Sequence, residues 1–276
     1  MEINELKEMS QRMRKLSIDM AYKAGKKGAH LGGGLSAIEI LAVLYGEILK
    51  VDSKNPCNQE RDIFLLGKGH GVLAYYSALY EKGFLSKDDI DSFEQPGSNF
   101  IGHPVKNIKK GIEYSSGSLG MALSVGVGMA ISAKHRNSSR NVYVVLGDGE
   151  CQEGSVWEAL FLAAKYKLSN LTIVIDNNRV QSDGFTESIS GFSDLGDKLK
   201  VFGCEIVEIN GHDVEELVNA FNMERSDKPR AIIANTIKGK GVSFMENDYR
   251  WHHSALNEEQ YEKAVSEIVG RKNVTG

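Results

Sequence analysis

Cysteine is scarce in this 276-residue chain, and no two cysteines are close. Cys57, Cys151 and Cys204 form no CxxC pair. A disulfide scaffold and a zinc knuckle are therefore excluded, and a reducing, cytoplasmic setting is expected. An excess of basic charge is also missing. The formal net charge is −4, which leaves no global footprint for nucleic acid. No apolar run approaches the roughly 18 residues that a membrane-spanning helix needs. The opening MEINELKEMSQRMRKL is charged throughout, so no secretory signal and no membrane role are expected. Internal repeats, low-complexity tracts and linkers are absent too. What remains is 41% hydrophobic residues, enough for one large domain over residues 1–276 with a substantial core.

The chain alternates between two periodicities. Residues 4–24 carry Leu6, Met9, Met13, Leu16, Ile18 and Met20 at mostly helical spacing, ending near Gly25. IEILAVLYGEIL, VLAYYSALYEKG, LGMALSVGVGMAISAKH, GSVWEALFLAAKYK, DVEELVNAFNM and the tail SALNEEQYEKAVSEIVG also read as helices. RDIFLL, VYVVLG, LTIVID, CEIVEI and RAIIANTI read as strands. Residues 94–118 read as irregular, and VQSDGFTESISGFSD as a long loop. Strands alternating with helices predict an α/β fold whose parallel sheet is covered on both faces.

Two strands end in polar tips. VYVVL runs into Gly147-Asp148-Gly149, and LTIVI into Asp176-Asn177-Asn178, with 27 residues between Gly149 and Asn177. Parallel strands deliver both tips to one sheet edge, where ligands sit in open α/β folds. Asp148 offers a carboxylate oxygen and Asn178 an amide oxygen. Mg²⁺ takes such hard oxygens and completes its shell from phosphate and water. The pair reads as a clamp for a Mg²⁺-diphosphate.

GDG followed by NN at this spacing resembles the thiamine diphosphate binding motif. Further segments, in order, are GAHLGGGLS, LGKGHG, GHPV, EYSSGSLG, GDGECQEG…IDNNRVQSDG and TIKGKGVSFMENDYRWHH. Together they resemble the N-terminal, diphosphate-binding domain of transketolase over nearly the whole chain. The resemblance implies a three-layer α/β/α thiamine diphosphate-binding fold with a mostly parallel central sheet. It implies thiamine diphosphate and Mg²⁺ as cofactors. Asp148 and Asn178 would ligate the metal by side chain, and Val180 by its carbonyl. Gly147 and Gly149 would lie against the diphosphate, and Gly117, Leu119 and Gly120 would form a turn beside the cofactor. Ser118 stands where transketolases commonly have proline, which loosens the turn but keeps both flanking glycines. Glu153 and Glu158 match glutamates that line the interface between active sites. As acids near a helix start, they are equally accounted for by the helix dipole.

Four of the seven histidines fall on family positions. The resemblance puts His70 near the diphosphate, and His30, His103 and His252 near the carbonyl and hydroxyls of a sugar. Imidazole suits that work because it donates or accepts a proton near neutral pH. Ala29-His30 replaces the usual Gly-His, and His252-His253 the usual His-Gly, which leaves the register open by one residue. His252 is preferred because it follows Trp251. His135, His212 and His253 lie outside the motifs and read as structural or surface residues. KGKG at 238–241 reads as a basic turn after a strand, or as a phosphate-cradling loop.

In the family, the glutamate that bonds the cofactor's aminopyrimidine lies on a second domain. The chain is therefore expected to be one half of a split transketolase. Its partner would be a C-terminal transketolase-like subunit carrying the pyrimidine-binding domain, in an α₂β₂ heterotetramer. Its substrates would be sugars or sugar phosphates. Three alternatives stay open: the α subunit of a 2-oxoacid decarboxylase-dehydrogenase, a deoxyxylulose-phosphate synthase, and a non-catalytic protein that retains the fold.

Overall fold

A computed structural model describes residues 1–191 and 194–270. Five strands form one sheet: β1 (Ile63–Leu66), β2 (Val142–Gly147), β3 (Leu171–Asn177), β4 (Glu205–Asn210) and β5 (Arg230–Asn235). Their order is β1-β2-β3-β5-β4, and every neighbouring pair is parallel. β1, β2 and nearly all of β3 are buried on both faces, so their sequences are continuous apolar runs, not alternating ones. β4 is the partly exposed edge, and its Glu205 and Glu208 mark it as such.

Alternate strand residues feed two separate cores. Phe64, Leu66, Tyr143, Val145, Val174, Ile232 and Ala234 face one side. They pack against α1 (Ile3–Lys23), α2 (Leu31–Ser36), α3 (Ile38–Val43), α4 (Val72–Glu81), the short α5 (Lys87–Asp91) and others. Ile63, Leu65, Val142, Val144, Leu146, Ile173, Ile175 and Ile233 face the other side. There they meet α6 (Met121–His135) and α7 (Gly154–Lys165). A short α8 (Thr186–Ser190) and α9 (Leu195–Val201) follow β3, and α9 joins this second core. α10 (Val214–Asn222) and α11 (Glu258–Gly270) return to the first. The result is the expected three-layer α/β/α architecture. Each fully buried Leu, Ile or Val contributes about 1.5–3 kcal/mol, which makes these two cores the main stabilising term.

Register positions the site. Gly147 lies beside Asp176, and Asp176 beside Ala234. The tips after β2, β3 and β5 therefore leave the sheet at one level, with the turn after β1 next to them.

The elements depart from the sequence reading in three places. IEILAVLYGEIL is α-helical only to Val43, and Leu44–Ile48 widens into a π-turn. Gly46 in that turn lets α1 pack closely, since a Cβ there would lie 2.4 Å from Leu6. GAHLGGGLS, which is assigned no element from sequence, contains a wholly buried helix at Leu31–Ser36. The long loop after Asn178 contains α8, and α9 begins where the loop was expected to end. Phe192 and Ser193 of that loop lie outside the described residues. Among the described residues, no helix is long and apolar enough to cross a membrane.

Candidate active site

The sequence-predicted residues meet in one cavity of about 300 Å³ at the carboxyl edge of the sheet. His30, His70, His103, His252, Gly117, Leu119, Gly147, Asp148, Gly149, Glu153, Asn178 and Val180 all line it. Gly120 stands just behind, its N–H donating to the carboxylate of Glu150, which is itself in the wall. Gly120 has φ +80°, and a Cβ there would come within 2.6 Å of Glu153 and Ser155, so the turn requires glycine. Glu158 is exposed on α7, outside the cavity.

The two asparagines separate by role. Asn177 turns into the sheet edge and donates to Asn235 Oδ1 at 2.7 Å. Asn178 turns into the cavity, 7% exposed, with its Oδ1 accepting from the Val180 N–H at 3.1 Å. Asp148 is 5% exposed, and one of its oxygens accepts from Thr186 Oγ1 at 2.7 Å. Burial raises the Asp148 pKa, and Asp176 adds to this, while Thr186 and Lys68 oppose it.

Two buried lysines, Lys68 and Lys238, went unassigned in the sequence. Lys68 follows β1 and ion-pairs with Asp176, both essentially inaccessible. Ser36 Oγ donates to the same carboxylate at 2.6 Å, and Thr236 donates to its other oxygen. Burial alone would raise Asp176, but Lys68, Ser36 and Thr236 prevail and hold it below its ordinary value. Lys238 is 2% exposed and donates to Val180 O at 2.7 Å, Gln181 O at 2.9 Å and His252 Nδ1 at 3.0 Å. Burial, then the charge of Lys68, pushes Lys238 down to about 8. KGKG is thus more than a basic turn, since its first lysine is part of the cavity wall. Both lysines stand just past strand ends, the same signal that singled out Asp148 and Asn178.

Histidines crowd the other side. The His30 ring centre is 5.9 Å from His70, 5.1 Å from His103, 5.5 Å from His252 and 4.5 Å from His253. His252 and His253 differ in exposure. His252 lines the cavity and touches Lys238, whereas His253 is exposed and packs on His30 from outside. Burial, reinforced by the neighbouring histidines, takes His30 down to about 3. Burial and Lys238 take His252 to about 4. Burial and Lys68 take His70 well below its ordinary value. His103 is lowered by burial, with Glu94 opposing. At pH 7, therefore, the cavity presents neutral imidazoles beside two ammonium groups.

This arrangement fits an anionic, metal-bound diphosphate. Asp148, Asn178 and the Val180 carbonyl offer three hard oxygens on one wall, which suits Mg²⁺. Among the described residues, no cluster of three or more His, Cys, Asp or Glu could hold a metal unaided. Further ligands must come from phosphate and water. Val180 O already accepts from Lys238, but a carbonyl has two lone pairs. An anion beside it offsets the charge of Lys238, whereas Lys68 is already paired with Asp176. A Cβ at Gly147 or Gly117 would meet nothing closer than 3.8 Å, which leaves room for a ligand against bare backbone. His30 Nδ1 and Gln181 Nε2, both on residues of the lining, are buried polar atoms without a hydrogen-bond partner. Unmet buried polar atoms at one place mark where a polar ligand belongs.

Comparison with known proteins agrees. The family described as "Transketolase, thiamine diphosphate binding domain" matches residues 6–273. An apulose-4-phosphate transketolase subunit from Phocaeicola vulgatus is 41% identical over 273 residues, covering 98% of this chain and 96% of that one. The 6-deoxy-6-sulfo-D-fructose transketolase subunit of a Clostridium species is 38% identical, covering 96% of both chains. The crystal structure of Campylobacter jejuni transketolase superposes with a TM-score of 0.90 and 33% identity, over 98% of this chain and 43% of that chain. This chain therefore spans less than half the length of that transketolase. It belongs to the transketolase thiamine diphosphate binding domain family, whose cofactor is thiamine diphosphate with a divalent metal.

Proposed function

We propose that the chain is the N-terminal subunit of a two-component transketolase. It moves a two-carbon ketol unit from a ketose to an aldose, with Mg²⁺ as the metal. The observation that carries this reading is the convergence of the metal-type oxygens, the glycine turns and four histidines on one cavity. It is supported by near-complete coverage of relatives whose names describe transketolase subunits for a phosphorylated and a sulfonated sugar.

Each group has a distinct task. Asp148 and Asn178 hold the metal, with Val180 O beside them. Lys238 and His70 lie close by, where they face the diphosphate. Bound thiamine diphosphate supplies the carbon nucleophile that carries the two-carbon unit. His30, His103 and His252 border the remaining space, and as neutral imidazoles they can hydrogen-bond a sugar's carbonyl and hydroxyls in either sense. Leu119 and Met121 are 36% and 47% exposed beside the cavity. In this reading a partner with a pyrimidine-binding domain covers that face, contributes the glutamate for the aminopyrimidine and completes an α₂β₂ assembly inside the cell.

Substrate class separates this from a 2-oxoacid decarboxylase. The reconstituted pair is expected to convert xylulose 5-phosphate with ribose 5-phosphate, and to leave pyruvate with an electron acceptor untouched. The opposite preference would replace ketol transfer with 2-oxoacid decarboxylation.

A further inference from the structure

Lys238 raises a positional question. Its ammonium is buried, yet its hydrogen bonds run to two carbonyls and an imidazole, not to a carboxylate. With no carboxylate bonded to it, the ammonium depends for its position on those three acceptors and on the backbone that carries it. The segment around it has left β5, and its backbone is tied by Thr236 N–H to Asn177 O at 3.2 Å, Gly239 N–H to Gly32 O at 3.0 Å and Asn247 N–H to Lys238 O at 2.9 Å.

His212 adds a side-chain anchor at the one N–H between Thr236 and Lys238. It lies between β4 and α10, and its Nε2 accepts from the Ile237 N–H at 2.8 Å, one residue before Lys238. Its Nδ1 donates to Glu39 Oε2 on α3 at 2.9 Å. An imidazole that accepts at Nε2 and donates at Nδ1 is neutral and in one tautomer. Glu39 fixes that tautomer. Burial would raise Glu39, but Arg14 and His212 overcome it and hold the carboxyl at about 2, so it remains an acceptor. Arg14 on α1 pairs with Glu39, donates to Leu35 O at 2.9 Å, and also donates to Lys240 O. Three elements thus fasten the backbone on both sides of Lys238.

We propose that His212, oriented by Glu39 and Arg14, is a positioning residue that sets Lys238 in the cavity wall. Through Lys238 it acts on the anionic end of the cofactor, a part of the inference that rests on the function proposed above. It touches neither cofactor nor substrate. Its effect is on where an ammonium stands.

Two substitutions separate the two ring nitrogens. His212→Gln can place an oxygen near the Nε2 position and still accept from Ile237. His212→Asn reaches Glu39 but not Ile237. Lys238 labelling by acetic anhydride, read by mass spectrometry on the full chain, reports its placement without any cofactor. We expect labelling at least about tenfold faster in His212→Asn than in wild type, with His212→Gln close to wild type. Calorimetric titration with Mg²⁺ and thiamine diphosphate, done with the partner subunit present, then tests the consequence. His212→Asn should weaken binding about tenfold, at the lower end of what outer-shell partners contribute. In a Lys238→Met background it should add nothing, because residues acting through one group are not additive. Equal Lys238 labelling in His212→Asn and wild type would overturn the proposal, and so would additive losses in the double variant. If His212→Asn does not fold, Glu39→Gln, which releases the tautomer, must show the faster labelling instead. Failure of the wild-type pair to bind the cofactor would sink the proposed function, while the labelling would still decide whether His212 positions Lys238.

Discussion

Asp148→Ala is expected to abolish Mg²⁺-dependent binding of thiamine diphosphate. Asp148 is the one carboxylate among the three oxygens proposed to face the metal, so among the described residues its loss removes the only anionic member of that set. The effect should exceed the roughly 10–100-fold typical of losing an outer-shell partner, because a direct ligand is removed. It should also exceed that of Asn178→Ala, which removes a neutral amide. The substitution leaves the backbone hydrogen bond from the Asp148 N–H to Asp176 O, so the strand tips should keep their register. Thr186 loses its acceptor as well, and α8 should loosen from the cavity. Calorimetry on the reconstituted enzyme, with circular dichroism to confirm the fold, reads the result. Unchanged cofactor affinity would remove Asp148 from the metal site.

His30→Ala and His103→Ala are expected to cut turnover or raise the sugar KM while cofactor binding stays nearly intact. Positioned acid–base groups contribute roughly 10²–10⁴-fold. His30 should show the larger effect. It sits at the centre of the histidine cluster, its Nδ1 lacks a partner, and its depressed pKa keeps it neutral at pH 7. A neutral ring offers both a donor and an acceptor to a hydroxylated substrate, which a protonated ring cannot. Wild-type kinetics in both variants would end the sugar-handling role. Loss of cofactor binding would recast the two as supports of the glycine turns.

Much of this site was legible because its residues occupy strand ends. Asp148 and Asn178 follow long apolar runs, and strand register alone carries such tips to one edge. The histidines were legible from the glycine-bordered segments that hold them. Lys68 and Lys238 were not, because lysine in sequence reads as a solvated charge. Only tertiary contact shows that Asp176 neutralises one and that carbonyls hold the other. His212 reads in sequence as structural, and its contacts with Glu39 and Ile237 give that reading a specific form. His253 reads in sequence as outside the motifs, yet its ring packs on His30. Helices α8 and α9 were missed because each has seven residues or fewer, too short for a periodic signal.

Whether the chain works only with a partner is decided by a reconstitution assay. Ketol transfer is measured for the purified chain with saturating thiamine diphosphate and Mg²⁺, first alone and then with a pyrimidine-domain subunit. The cavity presents hard oxygens, cations and imidazoles, but among the described residues only Glu150 and Glu153 bring glutamate to its wall. Glu150 is occupied by the N–H groups of Gly120 and Gly147, and Glu153 is the residue from which α7 starts. The chain alone should therefore be inactive, and the mixture should be active and migrate as a heteromer. Robust ketol transfer by the chain alone, with host transketolase excluded, would contradict the account.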